Sequence, residues 1–143
     1  MPQRCPKLEP QTFTFRVRIL GGGIPPALPS DAWREIECPG SLTLEDLARE
    51  ILHAFEVDND HLWSFYLSGK PWDPRTEYAL IADSGLLGKR PPKLAGKHKL
   101  RDIPLPKKEF LFLFDYGDEW HFGVTLTRTS STLASCSPGR VAR

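Results

Sequence analysis

The chain alternates most regularly near its start, where Phe13, Phe15, Val17 and Ile19 interleave with Thr12, Thr14, Arg16 and Arg18. One side of such a segment is apolar and the other polar, which predicts a first strand, halted by Gly21, Gly22 and Gly23. Ala32 to Cys38 alternates less cleanly and closes at Pro39-Gly40, predicting a second strand paired to the first. From Thr43 the period changes. Leu44, Leu47, Ala48, Ile51 and Phe55 fall on one helical face, leaving Arg49, Glu50 and His53 toward water. Thr43 with Asp46 three residues on reads as a capping box, Leu42 is placed to staple onto Leu47, and Glu45 and Asp46 suit the positive end of the helix dipole. Asp58-Asn59-Asp60 ends the pattern, and His61 to Leu67 predicts a third strand finishing at Gly69.

The second half is organised around FLFLFDYGDEWHFGVTL, residues 110–126. Phe110 to Phe114 are apolar without interruption, as suits a strand covered on both faces. Asp115 to Glu119 supply the polar residues and the glycine of a reversal, and Trp120, Phe122, Val124 and Leu126 then recur at every second position. This predicts a hairpin at the centre of the sheet. Between Trp72 and Lys108, Pro74, Pro91, Pro92, Pro104 and Pro106 exclude long regular elements, with a short turn or strand expected at Tyr78 to Ala82. Residues 1–11 read as a flexible lead-in and 129–143, rich in Ser, Thr, Gly and Arg, as a disordered tail, leaving one domain over 12–128. The expected fold is α+β: a mixed, mostly β sheet with one main helix packed across it, in ββαβ-ββ order and β-grasp-like.

Two segments, LTLEDLAREILHAFEVDNDHLWSFYL and FLFLFDYGDEWHFGV, resemble the two signatures of the plasmid pRiA4b ORF-3-like family. There a Thr-Leu-Glu-Asp-Leu helix leads through Ala-Phe and an acidic turn to a His-Leu strand, and a later strand ends in Asp-Phe/Tyr-Gly-Asp-x-Trp. Trp33-Arg34 and Lys99-Leu100-Arg101-Asp102 are similar to family residues as well, so the resemblance runs from about Phe13 to Thr127. It implies an α+β domain of plasmid- and mobile-element-associated prokaryotic proteins with no established activity. Two stretches depart from the family pattern, the link between Pro26 and Trp33 and everything after Thr127, as in a shortened or degenerate member.

Composition adds limits. With 143 residues, 40% hydrophobic, 26% charged and net charge +1, the chain is of ordinary globular make-up and has about one domain's length. No run approaches the roughly 18 apolar residues of a spanning helix, and MPQRCPKLEPQ lacks a signal peptide's apolar stretch, so the expectation is a cytoplasmic protein without membrane contact. Cys5, Cys38 and Cys136 are too few and too scattered for a disulfide framework or a zinc site and are expected as reduced thiols.

Chemistry concentrates in two places. Asp115, Asp118, Glu119 and His121 cluster at the hairpin, with His61 and His98 as recruits; carboxylates and imidazole could hold a hard divalent cation that activates water. Alternating side-chain directions oppose this, since Asp118 and Glu119 cannot share one site without a bulge. The second place is basic: Lys89, Arg90, Lys93, Lys97, Lys99, Arg101, Lys107 and Lys108 stand against the single acid Asp102, a candidate nucleic-acid contact or a solvated loop beside an acidic helix. Trp63 and Trp120 are expected in the core, and Trp33 and Trp72 at the surface. No nucleophile-elbow, zincin, Walker or Rossmann pattern occurs. The favoured reading is a non-enzymatic binding or accessory module without cofactor, its partner a protein or nucleic acid and its oligomeric state open. The rivals are a metal-dependent hydrolase or nuclease-like protein using the hairpin acids, and a DNA-contacting protein using the basic loop.

Overall fold

The computed structural model describes residues 12–22, 32–81, 91–130 and 141–142. The expectations for the lead-in, for Gly23, for Lys89 and Arg90 and for residues 131–140 lie outside these. The elements in chain order are β1 (Thr12–Gly22), β2 (Trp33–Pro39), α1 (Leu44–Ala54), β3 (Trp63–Tyr66), β4 (Glu77–Ala79), β5 (Lys93–Leu94), β6 (Phe110–Phe114), β7 (Trp120–Ser130) and β8 (Val141–Ala142). Two short 3-10 turns, Ala95–Lys97 and Leu100–Asp102, link β5 to β6. The strands form one mixed sheet in the order β5-β4-β3-β6-β7-β1-β2-β8. All neighbours are antiparallel except β4 and β5. The class is α+β, as expected, and the hairpin β6–β7 lies in the middle of the sheet.

Helix α1 begins where its capping box predicts. The Asp46 backbone N–H donates to Thr43 Oγ1 at 3.1 Å and the Thr43 N–H donates to Asp46 Oδ2 at 2.9 Å. Leu44, Leu47, Ala48, Ile51 and Leu52 are buried against Phe13, Phe15, Val17, Ile36, Phe65, Phe112 and Phe122 of the sheet. Each large side chain so buried contributes about 1.5–3 kcal/mol, far more than helix propensity does. Strand β6 is buried on both faces. Phe110, Phe112 and Phe114 join the helix-side core, whereas Leu111 and Leu113 pack with Tyr66 on the far face.

Two expectations need correction. The described strand runs into the glycine run before it ends, because Gly21 and Gly22 remain in β1 opposite His121 and Trp120. Gly22, at φ 89°, lies so close to the Glu119 carbonyl that a Cβ there would collide with it, so the glycine serves a close approach rather than a turn. Of the stretch expected as a disordered tail, the described residues 129, 130, 141 and 142 also add to the sheet. Thr129 and Ser130 continue β7 opposite Phe13 and Thr12, and Val141–Ala142 pair with β2 at Ile36 and Glu35. Ladder hydrogen bonds to a waiting strand edge require no apolar side chains, so composition alone misjudged these four residues.

Candidate functional site

At the hairpin, Asp115 takes a left-handed conformation, φ 68°, and its Oδ1 accepts from the N–H groups of Gly117 at 3.1 Å and Asp118 at 3.3 Å. The Asp115 N–H donates to the Leu62 carbonyl at 2.8 Å and the Glu119 N–H to the Asp115 carbonyl at 2.6 Å. The acid that opens the turn is therefore its internal brace. The candidate metal residues separate into pairs. His61 Nε2 is 3.7 Å from Asp115 Oδ2, and His121 Nε2 is 3.3 Å from Glu119 Oε1. Asp118 is exposed and joins neither pair. His98 sits beside the start of α1, where its carbonyl accepts from the Leu44 N–H at 3.1 Å. Among the described residues no group of three or more His, Cys, Asp or Glu is arranged to hold a metal ion.

Tyr116 turns back under the sheet. Its hydroxyl lies 2.6 Å from Ser64 Oγ and 3.2 Å from the Trp63 carbonyl. Ser64 in turn donates to Glu77 Oε2 at 2.7 Å, and the Tyr66 hydroxyl donates to the same oxygen at 3.2 Å. Burial pushes the Tyr66 and Tyr116 phenols above their ordinary values, with the Glu77 carboxylate adding to this, so they act as donors and not as bases. Trp72, at φ 63°, leans edge-on against Tyr116 and Tyr66, with ring centroids 5.2 and 6.1 Å apart, while remaining 43% exposed. Beside it the Ser68 hydroxyl and Arg75 hold the Asp73 carboxyl below its usual range. Sequence inspection missed this network. Its members lie up to 53 residues apart, and no local spacing signals it.

Further across the far face, Arg18 and Glu109 form a two-pronged ion pair at 2.6 and 3.0 Å. It passes over β7 at Gly123, where a Cβ would collide with the Glu109 carboxylate. Trp33, 44% exposed, carries the Arg16 guanidinium 4.2 Å above its ring. Both surface tryptophans are thus where the sequence places them, and Trp63 is buried in the core.

The basic segment wraps the start of α1. The Leu100 N–H donates to the Leu42 carbonyl at 2.7 Å, the Arg101 N–H to the Gly40 carbonyl at 3.1 Å, and Lys99 bridges to Thr43. Lys93, Lys97, Lys99 and Arg101 are all exposed. Glu45 and Asp46 of the adjacent helix turn share one guanidinium, and Glu45 also lies against Gly96 of the segment, so they offset part of this charge. Arg49 pairs with Glu45 at 3.5 Å and with Asp46 at 3.0 Å.

No curated protein matches the chain. Among solved structures it is similar to a crystal structure of a protein of unknown function from Methanosarcina mazei Go1, with 23% identity and a TM-score of 0.66. That likeness covers 94% of this chain and 69% of the other, and at this identity it shows a shared fold. The family model described as plasmid pRiA4b ORF-3-like protein matches residues 26–142. The matched span starts after β1 and runs past Thr127, so the C-terminal stretch falls inside the family pattern while β1 precedes it. With most of its length matched, the chain belongs to the plasmid pRiA4b ORF-3-like family.

Proposed function

We propose that this chain is a non-enzymatic binding or accessory module, working in the prokaryotic cytoplasm in association with plasmids or mobile elements. One observation carries the reading: the side chains that the sequence offers for chemistry do not converge, Asp118 standing exposed apart from the His61–Asp115 and His121–Glu119 pairs. Asp115 braces the hairpin through the N–H groups of Gly117 and Asp118, and the Ser64, Tyr66 and Tyr116 hydroxyls are tied to Glu77 or to one another. A general acid or base needs a group free to exchange protons with a substrate, and a resident cation needs converging oxygens. The family description and the plasmid association it carries support the accessory role.

Thermal melts with and without Mg²⁺, Mn²⁺ or Ca²⁺, combined with hydrolysis assays on phosphodiester and ester substrates, test this. A cation bound to the folded state raises its stability by RT ln(1 + [L]/Kd). The expected outcome is an unchanged melting temperature and no turnover. A rise that disappears in Asp118→Asn, accompanied by hydrolysis, would establish the metal-dependent rival instead.

A further inference from the structure

We propose that the basic surface of residues 93–108 binds the phosphate backbone of double-stranded nucleic acid without reading bases; this names the partner of the binding module above and rests on that reading. Lys93, Lys97, Lys99, Arg101, Lys107 and Lys108 are all exposed, and among the described residues none of them forms an ion pair. Arg18, Arg49 and Arg75 each do. Of the nearby acids, Glu45 and Asp46 share the single Arg49 guanidinium, Glu45 also lies against Gly96 of the segment, and Arg18 holds Glu109, so the six cations outnumber the carboxylates beside them. Asp102 is the one acid within the segment.

The excess positive charge stands on a fixed base. Ala95, Leu100 and Ile103 are buried in the core, and the backbone is tied to Gly40, Leu42, Thr43 and Leu44. His98 and Lys99 are extended, so the roots of Lys97 and Lys99 stand about 6–7 Å apart. Holding cations at set spacing reduces the ordering cost of contacting a polyanion. The whole chain carries only +1 because carboxylates collect elsewhere. Glu56, Asp58, Asp60, Asp115, Asp118 and Glu119 gather where α1 ends and the hairpin turns, and among the described residues their ion pairs go only to His61 and His121. The two ends of α1 therefore face opposite fields, which orients the molecule on a polyanion.

The side chains also select among polyanions. Residues 91–108 contain no Phe, Tyr or Trp, the His98 ring packs edge-on with Tyr78, and Tyr78 is buried, so the segment offers no exposed stacking platform for unpaired bases. Leu100 and Ile103 point into the core, so there is no apolar anchor for a lipid surface. A charged surface that contacts phosphates alone suits a duplex.

The test titrates the full chain against a short labelled DNA duplex of mixed sequence, by fluorescence anisotropy across a range of NaCl. Affinity should fall steeply with salt, and Lys97→Ala/Lys99→Ala/Arg101→Ala should reduce the slope of log K against log salt by about 3. Lys70→Ala/Arg128→Ala, which removes positive charge elsewhere, should retain the wild-type slope. Melting curves verify that the variants fold, and if the triple variant does not, Lys107→Gln/Lys108→Gln is read in its place with a reduction of about 2. The proposal is overturned by absence of salt-sensitive duplex binding, by an unchanged slope in the 93–108 variants, or by preference for single strands. Equal binding to polyglutamate or to phosphatidylserine vesicles overturns it as well. None of these outcomes touches the non-enzymatic reading, which is sunk separately by metal-dependent hydrolysis.

Discussion

Replacing Phe112 with alanine removes the ring at the centre of the aromatic core. Phe112 is fully buried, and its ring centroid lies 4.7 Å from that of Phe65, 5.6 Å from Trp63, 5.8 Å from Phe122 and 6.4 Å from Phe114. Phe65 and Phe122 are its direct cross-strand partners, so two of these neighbours are held by backbone ladders and cannot slide in to fill the space. The cost combines lost burial with an uncollapsed cavity, about 3–5 kcal/mol, and poor collapse puts it toward the upper value. Against the 5–15 kcal/mol of an ordinary domain this is a large fraction. Urea denaturation followed by far-UV circular dichroism should show a lower midpoint with an unchanged m-value. Phe112→Leu, which keeps most of the volume, should cost less than about 1.5 kcal/mol. A loss below about 1 kcal/mol for the alanine variant would refute the placement of β6 at the centre of the core.

Other outcomes follow from single contacts. Tyr116→Phe removes the hydroxyl that meets Ser64 and the Trp63 carbonyl and should cost about 1–3 kcal/mol in denaturant melts; no change would mean that the phenol does not tie the hairpin to β3. Arg18 holds the Glu109 carboxyl below its ordinary value. The contribution of Glu109 to stability is therefore fully present above the unfolded-state value, near 4.3, and is lost as pH falls through the lower folded value. The exposed pair is worth at most about 1 kcal/mol, so the stability gap between wild type and Glu109→Gln should be small at pH 7 and close on acidification, and a gap that widened in acid would contradict the pairing. Burial, with the nearby carboxylates of Glu50, Asp46 and Glu37, pushes the Cys38 thiol up to about 12. In a Cys5→Ser/Cys136→Ser chain, Cys38 should resist a thiol reagent at pH 8 until the protein unfolds, and prompt native-state labelling would show that the site is open.

What could be read in advance was local. The Thr43–Asp46 box and the apolar face from Leu44 to Phe55 lie within a few turns, so α1 was legible down to its cap. The unbroken run from Phe110 to Phe114 announced burial on both faces by composition. What was hidden depended on distant partners. Gly21 and Gly22 read as a stop until the Glu119 carbonyl is known to lie against Gly22. Ser64 and Glu77 look unrelated until Tyr116 and Tyr66 are brought beside them. The hairpin acids were named as one candidate site because they lie within five residues of one another, yet the turn directs Asp115 to His61 and Glu119 to His121. The basic segment was visible as charge, but how much counter-charge the helix turn supplies emerges only with Glu45 and Asp46 sharing Arg49.

The position of β1 also governs how the protein is made. Its long ladder is with β7, pairing Phe13 with Thr129 and Ile19 with Phe122, while β2 takes its other edge. During synthesis β1 and β2 can form a hairpin early and α1 can cover its Phe13, Phe15, Val17 and Ile19 face, but the other edge of β1 stays unpaired until about a hundred further residues have emerged. Closing so long a loop is slow, and a waiting strand edge beside an apolar face is a template for pairing with the wrong chain. Arg16 and Arg18, which stand exposed on the opposite side of that strand, keep the unfinished hairpin charged through the delay, so the nascent chain carries its own protection against aggregation.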